Sequence, residues 1–214
     1  MEATYLLNSG FLIRVGEILL VFDAFDDPAG VLPKQIGAHG DAPLYFFASH
    51  AHFDHFNPMI ADFSAHTTRY ILSEDIRENA GAARIPQDKT TWIGCYDAWQ
   101  DECISVTSFS STDWTGDTEV NRKFAENGFR KQMKRLVGLS CDVAFFPVDG
   151  RLGPSMERGA KVFCAETNPR ALVAMHSVGY PAWQPSADFF GKGREIPVWS
   201  PYTAGERHKF SNFG

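Results

Sequence analysis

The stretch LYFFASHAHFDH, residues 44–55, carries both the strongest structural signal and the strongest chemical signal in the chain. Its first five residues are apolar and run into a polar segment, which predicts a short buried strand. His50, His52 and Asp54 then follow at every second position, and on an extended segment such side chains point to the same side. His55 joins them only if the chain turns. Imidazole and carboxylate groups are ligands that zinc prefers, so the segment predicts a metal site where a strand ends.

The alternative interpretation of this segment is an exposed loop that happens to be rich in histidine. Phe47, Phe53 and Phe56 are interleaved with the polar residues, and we expect these rings to bury the segment. The buried interpretation, and with it the metal site, is therefore favoured.

Length and composition narrow the class of protein. The chain has 214 residues, 44% hydrophobic and 21% charged, which fits one globular domain over residues 1–214. The formal net charge is −6 and no basic stripe is present, so a nucleic-acid partner is not expected. Neither a signal peptide nor a bilayer-length apolar run is found, so we expect a cytoplasmic protein with no membrane association. The four cysteines form no C-x-x-C pair and are predicted to be buried free thiols.

Outward from the histidine segment, the hydrophobic pattern predicts a layered α/β domain with one core. Apolar runs predict strands at residues 4–8, 11–15, 18–23, 44–48, 70–72, 90–93, 104–109, 142–148 and 171–175. Helical spacing predicts helices at residues 74–80, where Ser73 is the expected N-cap, and at 120–137 and 155–166. Residues 27–43 are rich in Pro and Gly and are predicted to be a loop.

These features resemble the metallo-β-lactamase-fold superfamily of metallohydrolases, in a branch similar to ascorbate-6-phosphate lactonase. The resemblance is carried by the opening strands that lead to LVFD at residues 20–23, by FASHAHFDH at 47–55, and by the later strands DVAFFPVDGR at 142–151 and ALVAMH at 171–176. It implies an α/β fold of the α+β kind: a four-layer αββα sandwich that forms a single domain.

The resemblance also implies a metal-dependent hydrolase with zinc, as one or two ions, although other divalent metals are open. His50, His52 and one further histidine would hold a first ion, and Asp54, His55 and His176 a second. The implied reaction is hydrolysis of a small ester, lactone or phosphoester by a metal-activated water. In a one-metal site, Asp54 would instead orient and deprotonate the attacking water.

Two ligands of the family pattern are not where the resemblance places them. Residues 56–175 contain a single histidine, His66, which we interpret as an ordinary, partly exposed side chain. The bridging aspartate is matched by Asp117 in a Gly-Asp pair, but its position before a predicted helix favours an N-cap. We therefore expect the chain to lack one hairpin, and a second copy of the chain could cover the sheet edge that this loss exposes.

Asp149 and Arg151 lie at the end of another predicted strand. Asp149 is a candidate substitute ligand or pocket residue, and the alternative is a turn residue before Gly150. Arg151 could bind an anionic substrate, or form a salt bridge with Asp149. Since the bridging ligand is in doubt, the alternative function is a non-catalytic metal-binding or interaction protein on the same fold.

Overall fold

The structure is a computed structural model that describes residues 1–110, 119–176 and 182–211. The chain divides into two compact units: Met1–Thr107 with Pro201–Gly214, and Ser108–Ser200. Within the described residues the elements are, in chain order, β1 (Glu2–Leu7), β2 (Gly10–Val15), β3 (Ile18–Phe22), α1 (Val31–Ala38), β4 (Leu44–Ala48), β5 (Arg69–Ser73), β6 (Thr90–Ile93), β7 (Ala98–Gln100), β8 (Ser105–Thr107), α2 (Glu119–Met133), β9 (Ser140–Pro147), α3 (Arg158–Glu166), β10 (Asn168–Met175), β11 (Val198–Trp199) and β12 (Arg207–Lys209). Short 3₁₀ helices cover Pro58–Phe63, Glu74–Glu78, Ala80–Arg84, Gln87–Lys89 and Gly150–Ser155.

The first unit is built on a sheet with the strand order β12-β1-β2-β3-β4-β5-β6 in its described part. β12, β1, β2 and β3 pair antiparallel, whereas β3, β4, β5 and β6 pair parallel. A separate hairpin joins β7 and β8. The predicted strands of this unit are therefore confirmed, with their ends shifted by a few residues.

Strand direction brings several chain segments to one edge of this sheet, which we call the carboxyl edge. Phe22 pairs with Phe47 in the parallel β3–β4 register, so the residues that follow the two strands are neighbours. β1 runs in the same direction as β3, because both are antiparallel to β2. The end of β1 therefore lies at the carboxyl edge too, as does the end of β5.

One face of the sheet is buried under helical segments. Leu19, Val21, Leu44 and Phe46 alternate along β3 and β4 and pack in a core with residues of α1 and of the 3₁₀ helices. The prediction of a loop over residues 27–43 was wrong in its middle, because α1 forms there and buries Leu32 and Ile36.

Two local interactions explain α1. Its Pro33 lies in the first turn, where a missing N–H costs nothing. The Asp27 carboxylate accepts hydrogen bonds from the N–H groups of Val31 and Leu32, both at 2.8 Å, and so satisfies donors that the helix leaves free.

The predicted helix over residues 74–80 was also wrong. The chain forms two 3₁₀ helices there, separated by Asn79, whose backbone is extended and whose side chain accepts a hydrogen bond from the N–H of Gly81. Ser73 makes no side-chain cap hydrogen bond to the first of them. An Asn that bonds its own downstream backbone competes with a continuing helix, which accounts for the break.

The second unit contains the parallel strands β9, β10 and β11 with helices α2 and α3. Ala160 and Cys164 of α3 pack in a core with Leu172 and Ala174 of β10. The predicted helices and strands of this unit are confirmed, although α2 ends earlier and α3 begins later than expected.

Three further expectations have different outcomes. Cys164 is buried, but Cys95 and Cys103 are exposed, so the prediction of buried thiols was wrong for these two turn residues. The Gly116–Asp117 pair lies outside the described residues, so the missing hairpin and the N-cap interpretation stay predictions. In the part of the chain that the structure describes, every helix is too short or too polar to cross a bilayer.

Candidate metal centre

The histidine-rich loop follows β4 at the carboxyl edge of the first unit. The N–H groups of His55 and Phe56 both donate to the carbonyl oxygen of His52 at 3.0 Å, which forms the turn that the sequence required of His55. The N–H of Ala51 donates to Oδ2 of Asp75, just beyond the end of β5, at 2.9 Å. The loop is thus tied both to itself and to the neighbouring strand end.

Asp23, just after β3, organises the base of this loop. Its Oδ1 accepts a hydrogen bond from the N–H of Ser49 at 2.7 Å, and its Oδ2 accepts one from the Ser49 hydroxyl at 2.8 Å. The same Oδ2 lies 2.8 Å from Nδ1 of His55, with both side chains about 10% exposed. A carboxylate on Nδ1 holds the proton there, so that Nε2 of His55 carries the lone pair with which a histidine binds an ion.

Asp54 lies on the Nε2 side of His55. Its Oδ2 is 3.9 Å from Nε2 of His55. Two ligand atoms about 2.0–2.2 Å from a tetrahedral zinc ion are about 3.4 Å apart, so a side-chain shift of about 0.5 Å would let both bind one ion. The side-chain amide of Asn8 donates to the same Oδ2 at 3.1 Å.

His50 and His52 lie beside this pair; His50 is half-buried and His52 is exposed. Nε2 of His50 is 3.0 Å from Nδ1 of His52, and the ring centroids of His50 and His55 are 4.0 Å apart. At 3.0 Å the two nitrogens share a hydrogen bond, so one of them carries a proton, and binding of one ion by both would require that proton to leave.

The aromatic residues of the loop do not all bury it. Phe56 is 4% exposed and lies in the core, as expected, but Phe53 is 84% exposed. The expectation that Phe53 buries the segment was therefore wrong. The turn at His52 directs residues 53 and 56 to different sides, so only one of the two rings reaches the core.

The second unit repeats the carboxylate–histidine arrangement at the ends of β9 and β10. Nδ1 of His176 lies 3.1 Å from Oδ2 of Asp149. Arg151 binds the same carboxylate through Nε at 2.9 Å and Nη2 at 2.5 Å, which confirms the predicted Asp149–Arg151 salt bridge. Because both carboxylate oxygens of Asp149 accept from Arg151, the geometry favours an orienting role over direct ligation.

The ionisation of Asp149 follows from these contacts. Burial alone would raise the pKa of Asp149, but the hydrogen bonds and charge of Arg151, with His176, hold that pKa below its ordinary value. Asp149 is therefore a carboxylate at neutral pH, able to accept the Nδ1–H of His176. Nη2 of Arg151 also lies 3.3 Å from this Nδ1 and can donate to it only in the other tautomer.

Backbone conformation marks the same positions. Five non-glycine residues in the described chain have positive φ, and three of them are Asn8, Asp23 and His176, at 55°, 44° and 67°. Asn, Asp and His tolerate this left-handed region better than most residues, although it is uncommon for any of them. Such conformations cluster at functional sites, which agrees with the placement of these three residues.

His66 is far from the loop within the first unit. It precedes β5, whereas His50 follows the parallel strand β4, so the two histidines lie at opposite edges of the sheet. His66 therefore cannot be the further histidine of a first zinc ion. At its own edge it lines a cavity of about 540 Å³ with Asp41, Tyr45, Asp101, Glu102 and Cys103.

The donor set of the first unit fits a transition-metal ion. The loop carries imidazole and carboxylate groups, which are ligands of such ions, and of these Asp54 and His55 lie close enough together to hold one ion. Asp117 lies outside the described residues. Asp23, Ser49 and the side chain of Asn8 were not assigned a role from the sequence. The available signal for Asp23 was its position at the end of a buried strand.

Comparisons with known proteins identify the fold. No protein-family model matches this chain, and no curated protein sequence matches it. Igni18, a metallo hydrolase from Ignicoccus hospitalis, matches with a TM-score of 0.64 at 13% identity, over 98% of this chain and 99% of its own. YhfI from Bacillus subtilis, a metallo-β-lactamase fold protein, matches with a TM-score of 0.53 at 14% identity, over 97% and 99%. CmlA, a diiron β-hydroxylase from Streptomyces venezuelae, matches with a TM-score of 0.56 at 9% identity, over 82% of this chain and 44% of its own.

The chain therefore has the metallo-β-lactamase fold, as the histidine segment led us to expect. Identities of 9–14% show the fold alone. The resemblance to the ascorbate-6-phosphate lactonase branch stays a prediction.

Proposed function

We propose that this protein is a metal-dependent hydrolase that acts on a small ester, lactone or phosphoester, with zinc as its metal. The observation that carries the proposal is His55, a buried imidazole held at Nδ1 by Asp23 with Asp54 beside its Nε2. A carboxylate behind a histidine in this way is the usual outer support of a metal ligand.

The proposed ligands are His50, His52, Asp54 and His55 from the loop after β4, together with His176. The inclusion of His176 rests on the resemblance and on its contact with Asp149, which would favour the proton on Nδ1 and the lone pair on Nε2. Whether the site holds one ion or two depends on a bridging carboxylate. Asp117 is one candidate; Asp149 could serve only by giving up its hydrogen bonds to Arg151.

The chemistry divides between the ion and the chain. A bound divalent ion would lower the pKa of a water molecule and polarise the carbonyl or phosphoryl oxygen under attack. Asp54 can hold the ion or accept the proton of the attacking water at its carboxylate. Asp23 keeps the proton of His55 on Nδ1, so that Nε2 remains a ligand through the reaction.

A non-catalytic metal-binding protein is the second candidate. It is favoured by the sequence around Asp117, which departs from the family pattern where a bridging ligand is expected. Iron is the alternative to zinc, since CmlA is a diiron protein.

Metal content and turnover, measured together, separate these candidates. We would determine zinc and iron per chain by elemental analysis for the wild type, His52→Ala and the matched control His66→Ala. We would then assay 4-nitrophenyl acetate, γ-butyrolactone and bis(4-nitrophenyl) phosphate. The proposal expects bound metal and turnover in the wild type and in His66→Ala, and loss of both in His52→Ala. Metal without turnover would favour the second candidate, and no metal after zinc is added back would overturn both.

A further inference from the structure

We infer that Asn8 is a positioning residue for Asp54, and that its side-chain amide fixes the carboxylate orientation in which Oδ2 can share an ion with Nε2 of His55. This inference rests on the proposed function, because it assigns Asn8 to the same metal centre. Both residues belong to the first unit.

The contact is specific in its atoms. Nδ2 of Asn8 donates to Oδ2 of Asp54 at 3.1 Å and lies 3.5 Å from the Asp54 carbonyl oxygen. Oδ2 is also the oxygen 3.9 Å from Nε2 of His55. A carboxylate oxygen has two lone pairs, so Oδ2 can accept from Asn8 and still bind an ion.

Asn8 is itself held firmly. It is 5% exposed, and its backbone N–H donates to the hydroxyl of Tyr5 at 2.8 Å. The turn that carries it is pressed against the end of β3, because a Cβ on Gly10 would lie 3.0 Å from the carbonyl oxygen of Asp23. The turn between β1 and β2 therefore contacts both carboxylates that flank the His55 ring. It contacts the backbone of Asp23 through Gly10 and the side chain of Asp54 through Asn8.

The residue type fits both demands of the position. The backbone of Asn8 has φ 55°, a region that Asn adopts more readily than most other side chains. The amide is also a neutral donor for a carboxylate. Glycine would accept the backbone but lose the donor, which makes Asn8→Gly a variant that removes the contact without adding backbone strain.

Ser9 provides a matched control in the same turn. It is 2% exposed, and its hydroxyl has no hydrogen-bond partner in the described structure. Ser9→Ala therefore changes a buried polar side chain next to Asn8 without removing a hydrogen bond.

The experiment uses Co²⁺ as the probe on the full chain. We would record the visible absorption spectrum of the Co²⁺-loaded protein and measure zinc affinity by competition with a chromophoric chelator. Thermal unfolding without metal would check the fold. Asn8→Gly is expected to weaken zinc binding about 10- to 100-fold and to change the Co²⁺ spectrum, at an unchanged melting temperature. Ser9→Ala is expected to match the wild type.

Three other results would each overturn part of this inference. If Asn8→Gly binds metal with the affinity and spectrum of the wild type, the role of Asn8 is wrong while the proposed metal site stands. If Ser9→Ala alters the spectrum to the same extent, the effect belongs to the turn as a whole, and Asn8 is not the positioning residue. If the wild type binds neither Co²⁺ nor zinc, the proposed function and the inference both fail.

Discussion

Oδ2 of Asp23 lies 2.8 Å from Nδ1 of His55, although the two residues are 32 positions apart. The same carboxylate also holds the N–H and the hydroxyl of Ser49. One side chain at the end of β3 thus sets the start of the histidine loop and the orientation of its buried imidazole.

Asp23→Asn should weaken zinc binding about 10- to 100-fold without unfolding the protein. If the amide oxygen keeps the bond to the N–H of Ser49, the amide nitrogen faces Nδ1 of His55 and drives the proton to Nε2. The imidazole then has the wrong tautomer for a ligand. Zinc competition assays and the ¹⁵N chemical shifts of the His55 ring would measure both effects. Asp26→Asn, an exposed change three residues on, is the control, and equal losses in both variants would contradict the assignment.

Truncation to alanine should destabilise the protein strongly at Phe56 and hardly at all at Phe53. Phe53 is 84% exposed, so Phe53→Ala is expected to change the free energy of unfolding by less than about 0.5 kcal/mol. Phe56 is 4% exposed in the core, and Phe56→Ala should cost about 3–5 kcal/mol. Urea unfolding of the two variants provides the comparison. A large loss from Phe53→Ala would show that the ring is buried in solution.

Two glycine-to-alanine changes should shift the free energy of unfolding in opposite directions. A Cβ on Gly10 would lie 2.9 Å from the carbonyl oxygen of Leu7 and 3.0 Å from that of Asp23, so Gly10→Ala forces backbone to move. Gly37 lies inside α1 with nothing near its Cβ position, so Gly37→Ala should stabilise by about 0.5–1 kcal/mol. The midpoints of urea unfolding should fall for the first variant and rise for the second. If Gly10→Ala leaves the midpoint unchanged, the turn is looser than described.

Tyr45→Phe should raise the pKa of Asp101. Burial tends to raise that pKa, but the Tyr45 hydroxyl, which donates to Oδ2 at 2.7 Å, and the N–H groups of Ile104 and Cys103 hold it below its ordinary value. A carboxyl whose folded pKa is lowered stabilises the protein above its unfolded pKa of about 3.9, and that stability is lost as the pH falls through the folded value. The destabilisation by Tyr45→Phe should therefore shrink in acid. A ¹³C NMR titration of Asp101 measures the shift, and an unchanged pKa would contradict the contact.

Much of the fold could be predicted because its strands are short, apolar and clearly separated. The segment around α1 could not, since Gly30, Pro33 and Gly37 are ordinarily helix breakers. Here Asp27 caps the helix and its apolar side packs on the sheet, so tertiary packing outweighs local preference.

The loop of candidate ligands could be located from the sequence because its polar residues, His50, His52, Asp54 and His55, are contiguous there; their role as ligands stays a prediction. Its supporting residues could not. Asp23 and Asn8 reach the loop only because β3 lies beside β4 and β1 runs parallel to β3, and strand order is not written in any local pattern. His66 matched the further histidine of the family pattern by residue type alone. Sheet topology places it at the edge opposite the histidine loop.

The bond between Asn8 and Asp54 spans 46 residues, and that between Asp23 and His55 spans 32. The Asp23–His55 contact needs β3 and β4 to be paired, and the Asn8–Asp54 contact needs β1 and β2 as well. Closing such long loops is among the slower events of folding. Without these two contacts the side chains of the histidine loop would be flexible, and the loop would not fix the coordination geometry of a bound ion. If the loop binds an ion as proposed, the geometry of that site is set late in folding, once the sheet has formed, by strand pairing and not by the loop alone.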